Sequence, residues 1–387
     1  VTDPSFRPKN LLIYLRPQLP QMLAVLRDFT LAESPSTEKA PADRCAETIA
    51  AEWRKRDVHV DVIRQKIRGD HVRIEWRPTL ARKLTGQLLV LGHYDTVYAT
   101  GTLAKMPFRK VGRKVFGPGV FDMKAGIVQS LFALDALLAT DAPVQKQIVF
   151  LWTSDEEIGS ESARKLLESD ARHSEAVFVL EPSLGPKGLL KTARKGVGEA
   201  ELIVRGKASH AGLAPEKGVN AVHELALQLT KILAWNNLRH GVSVNADVIE
   251  GGTRINVIAE QARALIDLRA LRISDMHAIE KKLQALKPIL RGAKLEVTGG
   301  FTRAPLEHKV SAELFARAKK LAAQMGIALG EGTAGGASDG NFTAALGIPT
   351  LDGLGAVGDG AHSRDEHILA DTMPERAAVL AALLANS

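Results

Sequence analysis

At 387 residues the chain is long for a single hydrophobic core, so two domains are the expected organisation. Hydrophobic residues at 45% and charged residues at 25% are ordinary for a soluble globular protein, and no apolar run is long enough to cross a bilayer, which argues against a membrane protein. The net charge of +7 and pI near 9.4 come from Lys and Arg scattered among acids, with aromatics at 5% and no RNP, zinc-finger or helix-turn-helix signature; the excess reads as solubility and attraction of anionic substrates, not as a nucleic-acid surface.

Residues 1–20 hold four prolines, Pro4, Pro8, Pro17 and Pro20, and read as an irregular lead-in. Leu11 to Leu15 is too short for a signal-peptide core, and a cytoplasmic location is expected; the start at Val1 leaves open a removed leader and, with it, a periplasmic or secreted location. Helical spacing runs from Gln21 to Phe29 and from Pro41 to Arg56, with a turn at Ser34-Pro35-Ser36 between them. The single cysteine, Cys45, excludes an internal disulfide framework and falls on the inner face of the second of these helices. Strands are predicted over Val58 to Ile63 and His71 to Trp76, where His59 and His71 take outward positions and are expected at the surface.

Gln87 to Leu91 is a compact apolar strand that ends in Gly92-His93-Tyr94-Asp95. A strand-end histidine with a carboxylate two residues on can bind a metal through one ring nitrogen while the Asp receives the other N–H. Gly117-Pro118-Gly119 then forms a rigid turn delivering Asp122 at the mouth of an apolar helix, Ala125 to Ala139. Ile148 to Trp152 is a second buried strand, and it runs into Thr153-Ser154-Asp155-Glu156-Glu157, two adjacent carboxylates at a strand end whose side chains can point different ways. Alone, such a turn reads first as a solvated helix cap, and the other ligand-type segments are what turn the reading. Leu180-Glu181-Pro182-Ser183 and Ala361-His362-Ser363 add further ligand-type residues. Two His, one Asp and two Glu make the mixed nitrogen and oxygen set that suits zinc, especially a pair of ions sharing one carboxylate.

After Glu181 the chain changes character: glycines punctuate a basic stretch, and Glu199 to Arg205 alternates apolar with polar. A β-α-β-β-α-β pattern follows, with strands near Ala200 to Val204, Asn245 to Glu250, Gln261 to Arg269 and Lys294 to Gly299, and helices near Val219 to Leu233 and Ser274 to Leu286. The expected division is a catalytic domain of residues 1–195 and 304–387 with a smaller α+β domain, 196–303, inserted. A helix from Val310 to Met325 returns the chain to the first domain, and Gly335-Gly336-Ala337-Ser338-Asp339-Gly340 is a backbone-rich loop able to approach a ligand.

The order G-H-x-D-T-V, G-x-x-x-x-D-M-K-x-G, T-x-D-E-E-x-G-S, E-P-S, G-K-A-S-H-A-G and a late G-x-H-S-x-D-E resembles the dinuclear-zinc peptidase and deacylase family of glutamate-releasing carboxypeptidases, succinyl-diaminopimelate desuccinylase, acetylornithine deacetylase and aminoacylases, with the motifs spanning Gly92 to Glu366. The resemblance implies an α/β fold: a mixed-sheet zinc-exopeptidase catalytic domain carrying a ferredoxin-like dimerisation domain. It implies two Zn²⁺ per subunit, with Co²⁺ or Mn²⁺ as substitutes: Asp122 would bridge both, His93 and Glu181 would complete one, and Glu157 and His362 the other, while His367 lies outside. Asp95 would orient His93, Glu156 would be the general base, the Asp122–Met123 peptide would be cis, and His210 would reach the active site of the other subunit of a homodimer to hold the oxyanion. Lys207, Asn256, Arg269, Gly336 and Ser338 would contact substrate, although Ala259 stands where the motif around Asn256 usually has proline, and without the resemblance an Arg beside Asp267 reads as a surface ion pair. The implied substrate is a small peptide-like or N-acyl amino acid molecule with a free carboxylate. Gly355-Ala356-Val357-Gly358 before His362 looks most like the branch releasing C-terminal glutamate; deacylation of the acetylornithine or succinyl-diaminopimelate type is the alternative, and a catalytically silent zinc scaffold a third reading.

Overall fold

The structure, a computed structural model, describes residues 6–78 and 84–387. Two compact units are present. The first runs as far as Thr192 and takes up again over His308–Thr333 and Ser338–Ser387; the second comprises Ala193–Glu307 and Ala334–Ala337.

The described part of the lead-in is helical, which corrects the expectation of an irregular segment: α1 (Pro8–Leu15) and α2 (Leu19–Leu31) flank a short 3₁₀ turn. Each of the three prolines here, Pro8, Pro17 and Pro20, sits in the first turn of its helix, where the missing N–H would have had no partner. Pro4 lies outside the described residues. There follow α3 (Lys39–Trp53), β1 (His59–Ile63), β2 (His71–Trp76), β3 (Gln87–His93), β4 (Arg109–Val111), β5 (Lys114–Phe116), α4 (Ala125–Ala139), β6 (Gln147–Thr153), α5 (Arg164–Arg172), β7 (Ala176–Val179) and β8 (Leu190–Arg194).

In the second unit, β9 (Gly196–Arg205), α6 (Ala221–Leu233), β10 (Ser243–Gly251), β11 (Gln261–Ala270), α7 (Ile273–Gln284) and β12 (Lys294–Arg303) form an antiparallel sheet in the order β10-β11-β9-β12, the ferredoxin-like arrangement. Alternate residues, Ala200, Leu202 and Val204 on β9 and Ala262, Ala264, Ile266 and Leu268 on β11, share one core with Leu225, Ile232, Ile279 and Leu283 of the helices. Asn220 caps α6, its Oδ1 accepting from the N–H groups of Val222 and His223. Ala334–Ala337 joins this unit because the Lys195 N–H donates to the Ala334 carbonyl (3.1 Å) and Arg194 Nη1 to those of Gly336 and Ala337 (both 3.2 Å).

The chain then continues through α8 (His308–Gln324), β13 (Glu331–Ala334), α9 (Gly340–Ala345), β14 (Thr350–Leu351), β15 (Gly358–Asp359), β16 (His367–Leu369) and α10 (Met373–Ala385). The first unit's main sheet is ordered β1-β2-β6-β3-β7-β14; β6, β3, β7 and β14 are parallel, and β2 runs antiparallel to both of its neighbours, β6 and β1. Leu88 and Val90 pack on one side with α4, α10 and α1–α3, whereas Leu89 and Leu91 pack on the other with Leu167 and Phe342. Burial on both faces is why β3 and β6 read as continuous apolar runs, not as alternating ones. A second sheet, β15-β16-β5-β4, joins the approach to Gly117 with both ends of the loop that carries His362. Among the described residues no helix is long and apolar enough to cross a membrane.

Candidate metal centre

The carboxyl ends of parallel strands are where open α/β sheets collect functional groups, because each strand stops there and its loop leaves the layer. His93 closes β3 opposite Thr153 of β6, and Leu91 pairs Val179 of β7, which puts Glu156, Glu157 and Glu181 just beyond the same edge. His93 is 2% exposed; its Nε2 lies 3.3 Å from Asp122 Oδ1 and 3.4 Å from Glu181 Oε1. Its Nδ1 is 3.1 Å from the Asp95 carbonyl and 3.4 Å from Asp95 Oδ1, which sets the tautomer and turns Nε2 into the cage.

Asp95 has a second task. Its two carboxylate oxygens accept the backbone N–H groups of Glu156 and Glu157 at 3.2 Å each, and the Ser36 hydroxyl donates to Oδ2 at 2.7 Å. With both peptide groups pinned, the neighbouring acids diverge: Glu157 Oε1 meets His362 Nε2 at 3.0 Å, and Glu156 joins His93 and Glu181 in one group of ligand atoms. Asp122 stands between, with Oδ1 toward His93 and Oδ2 3.4 Å from His362 Nε2. The Asp122–Met123 peptide is cis.

Several residues outside the expected set hold this arrangement. Glu366 is fully buried and accepts the N–H groups of Gly119, Phe121 and Asp122 at 3.0, 2.8 and 3.0 Å; burial pushes it up to about 7. It lies inside the last motif, so a signal existed. Lys191 Nζ is 3.5 Å from Glu181 Oε2, for which the sequence carries none. His71, expected at the surface, is fully buried, because β2 is an inner strand of the sheet; Nδ1 lies 3.2 Å from the Ser154 hydroxyl and Nε2 3.2 Å from that of Ser162, which in turn donates to Asp155. Burial lowers the pKa of His71. His367 turns its ring to Phe116 and its Nδ1 to the Asp365 carbonyl.

The fit to cations can be judged from the donor atoms. Asp122 Oδ1 is buried with no hydrogen-bond partner. Two groups of ligand atoms, His93 with Glu156 and Glu181 and His93 with Asp122 and Glu157, each lie within 4.8 Å of one another. So much clustered carboxylate calls for positive charge. The imidazoles respond accordingly: Asp122 and Glu157 push His362 up to about 10, and the surrounding carboxylates raise His93 despite a burial that pulls it down. Burial raises Glu157, while for Asp122 burial and Glu181 are outweighed by the two histidines, which hold it low. Oxygen and imidazole donors of this kind suit zinc.

Of the remaining expected residues, Ser338 is fully buried and its hydroxyl donates to Asp352 Oδ2 at 2.6 Å. His210, Lys207, Asn256, Arg269 and Gly336 belong to the second unit. His210 is exposed, and its Nδ1 accepts from the N–H groups of Gly212 and Leu213 at 3.1 Å each, which leaves Nε2 as the protonated, donating nitrogen. The Asn256 carbonyl accepts from Ala211, tying its turn to the His210 loop, and the Ala259 carbonyl accepts from Ala221. Lys207 is exposed and pairs through its backbone with Val219. Arg269 makes a forked contact with Asp267, with nitrogen–oxygen distances of 2.7 to 3.0 Å.

A family model described as peptidase family M20/M25/M40 matches residues 89–386. Carboxypeptidase G2 from Pseudomonas sp. (strain RS-16) is 31% identical over 305 residues, covering 77% of this chain and 73% of that protein. Succinyl-diaminopimelate desuccinylase from Dechloromonas aromatica (strain RCB) is 29% identical over 322 residues, covering 78% and 84%. Among solved structures, the aminopeptidase PepT from Bacillus cereus superposes with a TM-score of 0.80 at 20% identity over 96% of this chain and 98% of that one, a likeness of fold. With the family match spanning most of its length, the chain belongs to peptidase family M20/M25/M40.

Proposed function

We propose that this hydrolase uses two zinc ions to cleave the amide bond that joins a C-terminal amino acid, of the glutamate type, to the rest of a small peptide-like substrate. The observation that carries the reading is the placement of Asp122, one oxygen toward His93 and the other toward His362. His93, Asp122 and Glu181 would hold one ion, and Asp122, Glu157 and His362 the other. When bound, such a pair supplies an activated water near neutral pH and polarises the scissile carbonyl.

The chain's own residues do the rest. Glu156 takes the proton of the attacking water and returns it to the departing nitrogen. Asp95 keeps His93 in its ligating tautomer. In a homodimer assembled through the second unit, His210 of the partner subunit donates its Nε2–H to the developing oxyanion, a role supported by the two N–H groups that Nδ1 accepts. Arg269, Asn256, Lys207 and Gly336 receive the free carboxylate, with Arg269 exchanging Asp267 for substrate. The preference for glutamate rests on Gly355-Ala356-Val357-Gly358 before His362, which resembles the glutamate-releasing branch, and the likeness to a carboxypeptidase supports a cut at the C-terminal residue. The likeness to a desuccinylase supports a second reading, removal of an N-acyl group from a diamino acid.

A release assay over C-terminal and N-acyl amino acids, run with chelator and with zinc restored, tests the proposal. The expected result is chelator-sensitive, zinc-restored release of glutamate. Faster deacylation of succinylated diamino acids selects the second reading, and turnover that chelator does not touch overturns both.

A further inference from the structure

Four of the five proposed ligands are held by the body of the first unit: His93 and Glu181 at strand ends, Asp122 through the peptide groups that Glu366 receives, and Glu157 through the peptide group that Asp95 receives. His362 stands apart. It is 51% exposed and has a φ of +60°, a conformation that a β-carbon disfavours. Its loop is folded by its own short bonds: the Ser363 N–H and hydroxyl donate to the Gly360 carbonyl at 3.0 and 2.8 Å, and the Asp365 N–H donates to the Ser363 hydroxyl at 3.2 Å. These bonds fold the tip of the loop, whereas its base is fixed by the Glu366 carboxylate and by the strands β15 and β16 on either side.

A tie from outside comes from Tyr98, whose phenol donates to the Ser363 carbonyl at 2.8 Å. Tyr98 follows Asp95 by three residues on the segment that leaves β3, so this one bond joins the loop of the buried histidine ligand to the loop of the exposed one. The ring is half-buried, and burial together with the Glu366 carboxylate raises its pKa, so the proton stays in place to be donated.

We propose that Tyr98 is a positioning residue for His362: its hydrogen bond to Ser363 sets the reach of His362 Nε2 toward Asp122 and Glu157, and so the affinity of the cation position that those three residues form. The inference rests on the two-cation reading above. Partners one step removed from a metal commonly change its affinity about 10- to 100-fold when lost, because they fix ligand direction. Tyr98→Phe removes one hydroxyl and keeps the ring, so the fold of the loop is retained.

The test is titration of the chelator-treated protein with Co²⁺, followed by calorimetry and by visible absorption. Wild type is expected to fill in two steps. Tyr98→Phe should keep one step and weaken the other about tenfold, with an unchanged melting temperature of the metal-free protein. Thr100→Val, which removes the hydroxyl bond from the same segment to Glu38, should leave both steps as in wild type. Two steps at wild-type affinity in Tyr98→Phe, or equal weakening of both, overturns the role of Tyr98 and leaves the two-cation reading standing. A wild-type stoichiometry of one ion per chain overturns the two-cation reading itself.

Discussion

Glu156 and Glu157 are adjacent in the chain and are given different work by a third acid. Asp95 takes both of their N–H groups, so neither peptide can rotate to bring the two carboxylates to one side. Glu157 is directed to His362, and Glu156 is left beside His93 and Glu181. Glu156→Gln is therefore expected to lower kcat by roughly 10²- to 10⁴-fold while both ions remain bound, as elemental analysis of the purified variant would report. Asp122→Asn should lose both ions together; retention of one at full affinity would remove Asp122 from the bridging role.

A different acid governs behaviour at low pH. Asp70 is buried and receives Lys39 Nζ at 2.8 Å, Arg64 Nη1 at 2.6 Å and the Gln65 N–H at 2.7 Å. Burial alone would raise its pKa, but these three donors outweigh it and hold the folded carboxyl below its ordinary value. A depressed folded pKa means stability that is present above the unfolded value of about 3.9 and is lost as pH falls through the folded one. Asp70→Asn should cost about 1–3 kcal/mol near neutral pH, and the gap to wild type should close below about pH 3.9. Denaturant titrations across that range would check this, and a gap that stays constant would refute it.

At the level of elements, α4 and the loop after β14 both press on the end of β7. A β-carbon at Gly126 would lie 2.4 Å from the Leu180 carbonyl oxygen, and one at Gly355 would lie 2.1 Å from it and 2.8 Å from that of Glu181. Inside an ordinary helix, Gly to Ala gains about 1 kcal/mol. Here the obstacle is backbone and cannot swing aside, so Gly126→Ala should instead destabilise by about 1–3 kcal/mol. Because the displaced segment carries Glu181, cation affinity should fall with it. A Gly126→Ala protein as stable as wild type would show that α4 has room to retreat.

For the whole molecule, the edge of the second unit's sheet is the telling surface. β10 ends the strand order and exposes Val248 and Ile249, at 43% and 58%, beside unpaired strand backbone. Exposed apolar edges pair with another chain unless something blunts them; β10 carries no proline, and its one bulge, between Ala246 and Val248, leaves Val248 and Ile249 in register with β11. In the proposed homodimer this edge is covered, so Ile249→Lys should shift the sedimenting species from dimer to monomer while cation content stays as in wild type. A wild-type protein that sediments as a monomer at micromolar concentration would count against the assembly and against His210 acting across it.

The chain by itself determined which residues could be ligands and, outside the proline-bearing lead-in, where the longer strands and helices run. Apolar runs such as Ile148 to Trp152, the helical spacing of Val310 to Met325 and the order of the six motifs are local properties, written in neighbouring side chains. The ferredoxin-like order of the second unit was legible for the same reason, since alternation and turn residues mark each strand. What tertiary structure decided is everything that depends on who covers whom. His71 alternates like a surface residue yet is buried because β2 lies between β1 and β6; the Ser338 hydroxyl finds Asp352, fourteen residues on, only once the chain is folded; the prolines of the lead-in permit helices because each falls in a first turn. Likewise, which oxygen of Asp122 faces which histidine, and that Glu366, Lys191 and Tyr98 stand behind the ligands, follows from strands that meet only after folding, because direction and burial are set by packing between distant segments and leave no mark on local pattern.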